Sequence, residues 1–167
     1  MGTQVSQDVD QRAPPLVVTS MNHLDFLVIE DEISELKLMK SILTKTGAND
    51  IVAVTSAAEA ARVLATRRKK IDCVICDHKL PDITGLALLQ RIRAGRNPFI
   101  SRDIRFIMMT GYSNASLVRG AVDLDVSGFV LKPADIGSVM KAVQLAFAKK
   151  QPLKSPRDYQ ALALVDV

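Results

Sequence analysis

Short apolar runs alternate along the chain with stretches whose apolar residues recur every three or four positions. The runs are Asp25–Ile29, Asp50–Thr55, Ile71–Asp77, Ile104–Met109 and Ser127–Leu131. Continuous, partly β-branched runs of this length suit strands buried on both faces. Helical spacing appears between them: Leu36, Leu38, Met39, Ile42 and Leu43 within Ile33–Thr46, stopped by Gly47, and Leu86, Leu88, Leu89 and Ile92 within Thr84–Ala94. A third such stretch, Asp135–Lys149, carries Ile136, Val139, Met140, Val143, Leu145 and Phe147. Ser56-Ala57-Ala58-Glu59 has the form of a capping box and opens a helix to about Arg67. Asn114 caps a weaker helix from Ala115 to about Asp123. Pro98 bars helix through the Gly95–Arg105 connection, a basic stretch read as a solvated loop.

Strands alternating with helices over short links predict an α/β fold. The sheet is five-stranded and parallel, with helices on both faces and the flavodoxin-like strand order 2-1-3-4-5. Residues 1–23 are polar, with Pro14-Pro15 and little periodicity, and read as a flexible arm with one short ordered piece at Leu16–Val18. Residues 24–150 form the domain. Residues 151–167 form a tail whose Tyr159–Val167 stretch is apolar for a chain end, so it is expected to dock on its own fold or on a second subunit, which would make a homodimer, the alternative being a floppy tail.

An apolar share of 48% suffices for a sizeable core, and no run approaches the roughly 20 residues that span a bilayer. The first 22 residues hold no signal-type apolar core, which predicts a cytoplasmic protein without membrane insertion. Cys73 and Cys76, three apart on a strand, face opposite sides and read as core residues of a reducing compartment rather than a redox or zinc pair. The net charge is +4, the isoelectric point about 9.2 and the aromatic share 4%. With no recognition-helix or RNA-binding motif, the basic clusters read as solvated helix ends, and no direct nucleic-acid binding is expected.

In a parallel sheet the carboxyl ends of the strands share one edge, where ligands bind. Glu30 and Asp31 follow the first strand, Asp77 ends the third, Thr110 follows the fourth and Lys132 the fifth. Three carboxylates converging in a crevice repel one another and call for a hard divalent cation with oxygen ligands, Mg²⁺ being suited to accept a phosphoryl oxygen alongside. Asp77 is then placed as a carboxylate nucleophile toward phosphorus, Lys132 supplies an ammonium and Thr110 a hydroxyl. His78, beside Asp77, reads as a rim histidine.

The motifs V-I-E-D-E, V-I-C-D-H-K-L-P-D-I-T-G, I-M-M-T-G and F-V-L-K-P resemble the receiver domain of two-component response regulators, in particular its chemotaxis-type single-domain members, over about Leu24 to Lys150. The resemblance implies phosphorylation of Asp77 by a sensor histidine kinase or a histidine phosphotransfer protein. It implies Mg²⁺ held by Asp31, Asp77 and the backbone carbonyl of Lys79, with Glu30 contributing through water. It further implies that Thr110 turns toward the acyl phosphate and that Phe129 is the switch aromatic, where Tyr is frequent. Lys79 and Tyr112 occupy the positions that tune phosphoryl lifetime, and Tyr112 is bulky enough to shield the group from water. The fourth helix, fifth strand and fifth helix would form the face that a downstream protein target reads. So read, the chain is a stand-alone phosphoacceptor that switches a partner or relays phosphate, and not an enzyme beyond its own phosphoryl transfer and dephosphorylation. The alternative is a phosphorylation-independent interaction module of the same fold, against which the complete acidic, Thr and Lys set argues. An aspartyl-phosphate phosphatase would need an acid where Lys79 stands, and a flavin carrier would need a phosphate loop where the first strand ends in acids.

Overall fold

The computed structural model describes residues 20–111 and 115–164. Strands β1 (Asp25–Ile29), β2 (Asp50–Val54), β3 (Cys73–Asp77), β4 (Arg105–Thr110) and β5 (Gly128–Leu131) form one sheet. All four pairings are parallel and the strand order is β2-β1-β3-β4-β5, as the alternation of periods predicts. Helices α1 (Ile33–Lys45) and α5 (Ile136–Ala148) cover one face, and α2 (Ala57–Thr66), α3 (Gly85–Arg93) and α4 (Ala115–Asp123) the other. A sixth helix, α6 (Pro156–Ala161), is absent from the sequence reading, although Ser155-Pro156-Arg157-Asp158 carries its signal. Ser155 and Asp158 form a reciprocal capping box, with Pro156 in the first turn where its missing N–H costs nothing. No described helix is long and apolar enough to cross a membrane.

Each layer follows from the pattern that predicts it. Side chains alternate across β3, so Val74 and Cys76 enter the core beneath α2, α3 and α4, while Cys73 and Ile75 enter the one beneath α1 and α5. Both thiols are free and fully buried, and burial raises the pKa of each. Ser56 caps α2 by accepting from Glu59 N (3.2 Å), but the Glu59 carboxylate turns to Thr55 N (3.0 Å) instead of closing the box. The α2 N–H groups of Ala57 and Ala58 are taken by Asp82, from the loop after β3, at 3.1 and 2.8 Å. Packing begins at Met21, which is buried among the α1 and α5 residues although the sequence reading places it in the arm. The Leu16–Val18 piece and the Asn114 cap lie outside the described residues.

Two sequence expectations are corrected. Arg93, within a basic cluster read as solvated helix ends, has no exposed surface. Its guanidinium donates to the carbonyls of Leu124 (3.3 Å), Ile104 (3.0 Å) and Asp125 (3.1 Å) and to that of Arg102, a geometry that a planar fork of donors can satisfy. Burial lowers its pKa to about 10, so it remains charged at neutral pH. His78 is 4% exposed, not a rim residue. Its N–H donates to the Met109 carbonyl (3.1 Å) and its carbonyl accepts from Gly85 N (2.8 Å), extending the β3–β4 pairing one residue past Asp77.

Gly85 explains how α3 meets that strand end. A Cβ there would lie 2.7 Å from the Asp77 carbonyl oxygen, 2.9 Å from Met108 Sδ and 3.1 Å from His78 Cα. The backbone neighbours cannot move aside as a side-chain tip could. Gly85→Ala is expected to lower unfolding stability by about 1–3 kcal/mol, the usual cost of overpacking, with the midpoint of urea denaturation as the check.

Candidate functional site

Each sequence-predicted site residue is delivered by a strand end. Hydrogen bonding of Glu30 N to Val54 O (3.1 Å) carries β1 one residue beyond Ile29, placing Glu30 at the sheet edge with 1% exposure. Asp31 follows, exposed. Asp77 is the last residue of β3 and is 7% exposed, and Thr110 is the last of β4 at 6%. In the β3–β4 register Asp77 faces Met109, so Thr110 stands one step further along the adjacent strand. Lys132 follows β5, its N–H bonded to Thr110 O (2.9 Å), and a cis peptide bond joins it to Pro133.

Side chains from β1, β3 and β5 meet. The Lys132 ammonium donates to Glu30 Oε2 at 2.5 Å and lies 3.3 Å from Asp77 Oδ2. Glu30 Oε1 accepts from Glu32 N at 3.1 Å, so both oxygens of this carboxylate are held. One carboxylate oxygen from each of Glu30, Asp31 and Asp77 lies within 4.8 Å of the others. Three carboxylates against one ammonium leave two negative charges, and the donors are hard oxygens on a partly open edge. Charge and ligand chemistry fit a small divalent cation that keeps some of its waters.

Burial pushes the Glu30 carboxyl above its ordinary value, and its hydrogen bonds to Lys132 and Glu32 only partly oppose this. For Lys132 burial pulls the other way, but the hydrogen bond to Glu30 and the charges of Asp77 and Glu30 outweigh it and raise the ammonium.

Lys79 is exposed on the loop after β3. Phe129 is half-buried on β5, opposite Met108 in the register, and packs against the core beneath α2, α3 and α4. Tyr112 lies outside the described residues. Two residues that serve the site went unnoticed in the sequence: Gly85, which lets α3 start against the Asp77 backbone, and Asp82, which ties the Lys79 loop to α2. The Gly at the end of L-P-D-I-T-G and its Asp were the available signals.

Comparison with known proteins agrees with this fold. The model of the response regulator receiver domain matches residues 26–144. Transcriptional regulatory protein ZraR of Salmonella typhimurium is 27% identical over 125 residues, covering 75% of this chain and 26% of ZraR. A probable chemotaxis protein CheY of Rhizobium etli is 23% identical over 121 residues, covering 72% of this chain and 90% of that protein. The chain thus spans about a quarter of the length of the first curated relatives it matches. Among solved structures, a response regulator receiver domain protein from Clostridium thermocellum superposes with a TM-score of 0.65 at 25% identity, covering 74% of this chain and 94% of that one. A CheY-like receiver domain from Methylobacillus flagellatus gives 0.64 at 29% identity, covering 74% and 98%.

A pH dependence follows from the site's charges. Because the folded Glu30 pKa lies above the ordinary 4.5, ionising it costs the fold stability as pH rises through the interval between the two values. A divalent cation offsets that cost, and the proton competes with the cation below it. Lys132 stays charged throughout, its contribution fading only above its ordinary 10.5. Mg²⁺ is therefore expected to raise the melting temperature, most at neutral pH and less on acidification, before an unperturbed glutamate would titrate. Thermal melts followed by circular dichroism, with and without Mg²⁺, check this.

Proposed function

We propose a function from one premise, that the chain belongs to the response regulator receiver domain family: Asp77 accepts a phosphoryl group from a phosphohistidine, and the modified domain switches a protein-binding face or hands the group onward. The donor in this reading is a sensor histidine kinase or a histidine phosphotransfer protein. The observation that carries it is the ammonium of Lys132, 3.3 Å from Asp77 Oδ2, beside three clustered carboxylates.

A carboxylate oxygen of Asp77 forms the new bond to phosphorus as the bond to the donor's imidazole nitrogen breaks. That nitrogen keeps the electron pair and takes up a proton from solvent. Asp31, Asp77 and the Lys79 carbonyl would hold Mg²⁺, with Glu30 acting through water; bound there, the ion neutralises charge on the transferring oxygens. Lys132 supplies a fixed positive charge to the same oxygens without needing to reorganise, because Glu30 already orients it. Gly85 and the short β3–α3 loop keep Asp77 on a rigid strand end, as positioning requires.

The Thr110 hydroxyl then turns toward the acyl phosphate, and Phe129 follows inward. Phe129 lines a groove between α4, β5 and α5, together with Val122, Leu131, Lys141 and Leu145. Val122, Leu131 and Leu145 are about half exposed there, which offers apolar surface to a protein target. Lys79 and Tyr112 set the lifetime of the acyl phosphate, and the bulk of Tyr112 favours a long one. Tyr112→Ala is expected to speed loss of the phosphoryl group several-fold after the donor is removed, measured by intact mass over time.

The decisive experiment is incubation with acetyl phosphate and Mg²⁺, comparing the unaltered chain with Asp77→Asn by intact mass. The expected result is a Mg²⁺-dependent gain of one phosphoryl group that Asp77→Asn lacks. No gain in either protein overturns the reading in favour of an interaction module that works without phosphate.

A further inference from the structure

Residues 151–164 follow the 26–144 that match the family, and they are not idle. Leaving α5, the chain passes the amino ends of β4 and β5, where Arg105 holds the Lys149 carbonyl (3.1 Å) and Ser127 donates to Gln151 (3.2 Å). It then lays α6 on α3, where Gln90 donates to the carbonyls of Tyr159 and Leu162, both at 2.8 Å. Tyr159 has no exposed surface, and Leu153, Leu162 and Leu164 pack on the same core.

The polar contacts of this segment converge on the end of α4. Lys154 Nζ donates to the carbonyl of Asp123 (2.7 Å) and pairs with Asp125 Oδ2 (2.9 Å). Tyr159 donates its hydroxyl to that same carboxylate oxygen at 2.6 Å and accepts from Lys154 N at 3.0 Å. Gln151 Nε2 donates to the Asp125 carbonyl at 2.6 Å. The Lys154 ammonium and the Arg102 guanidinium lie 5.4 and 5.8 Å from the centre of the Tyr159 ring, and Arg102 also donates to the Lys154 carbonyl (2.7 Å). Asp125 itself holds a φ of +52° as the left-handed residue that closes α4, its N–H bonded to the Val122 carbonyl and that of Val126 to the Ala121 carbonyl, both at 2.9 Å.

We propose that residues 151–164 are an intramolecular strap that clamps the α4 C-terminus at Asp125 and so restrains the α4–β5–α5 face against switching. This rests on the function proposed above, in which a change at Thr110 reaches the face by way of α4, which begins at Ala115, a few residues past Thr110. By linkage, phosphorylation of Asp77 then loosens the strap by the same factor by which the strap disfavours phosphorylation.

The test uses the full chain carrying Tyr159→Phe, which keeps the ring and loses both hydroxyl contacts. Lys154→Met is a second variant that leaves the ring untouched. Amide hydrogen exchange of the unphosphorylated proteins is read by mass spectrometry. Loss of a hydrogen bond to a charged group is expected to speed exchange across residues 120–126 about 10-fold, with the β1 and β3 amides unchanged. Unchanged exchange at 120–126, or an equal rise across the whole chain, overturns the clamp. With acetyl phosphate and Mg²⁺ the variants are expected to gain the phosphoryl group several-fold faster than the unaltered chain. Equal rates despite faster α4 exchange overturn the restraint. Failure of every protein to gain the group counts against the function of Asp77, while the exchange data still decide whether the strap holds α4.

Discussion

The carboxyl edge of the sheet gathers three carboxylates where Coulomb repulsion and desolvation both oppose them, and the Lys132 ammonium is what makes the arrangement tolerable. Glu30 is 1% exposed, so its charge has little water, and its contact with Lys132 at 2.5 Å offsets part of what is lost. The two residues are 102 positions apart in the chain. One ends the second strand of the sheet order and the other follows the last, with β3 and β4 between them. The pair is therefore a tie across the sheet as well as a charge balance. It also sets the two remaining negative charges that a divalent cation can neutralise, so structure and ligand preference come from one interaction.

Much of this was readable because the strands are buried on both faces. Burial forces apolar runs, and their ends show as abrupt polar residues, so Glu30, Asp31, Asp77, Thr110 and Lys132 stand out at fixed places in the pattern. Parallel topology then gathers those ends without any further information. What escaped was whatever depends on three-dimensional closure rather than on period. Arg93 looks like a helix-end cation, and only the approach of the Leu124, Asp125 and Ile104 carbonyls converts it into a buried one. His78 follows a charged residue and looks exposed, yet continued β3–β4 pairing carries it inward. The six-residue α6 is too short for a hydrophobic period to register, so its capping box and proline were its only signal.

The two faces of the sheet carry different constraints. Beneath α1 and α5 the core is almost purely apolar, closed from Met21 onward. Beneath α2, α3 and α4 the packing is interleaved with polar devices: Asp82 on the first turn of α2, Thr84 accepting from Ala87 N (3.2 Å) at the start of α3, Gln90 toward the tail, Arg93 toward the α4 end. Hydrogen bonds are directional where apolar contacts are not, so this side fixes positions as well as distances. It is also the side that carries the loop after Asp77.

The placement of α4 is only weakly specified by its own sequence. Gly120 and the β-branched Val118 and Val122 lower its intrinsic helix preference, and Leu117 and Ala121 are its only buried side chains among the described residues. Gly120 also lets it approach α3 closely, since a Cβ there would meet a Leu86 methyl at 3.3 Å. A helix anchored this thinly takes its position from its ends. One end continues from Thr110 at the carboxyl edge, and the other is gripped through Asp125 by Arg93, Gln151, Lys154 and Tyr159 at the amino edge. In the proposed reading the chemistry of the acidic site and the hold of the tail act on opposite ends of this one helix, and the coupling between them runs along it.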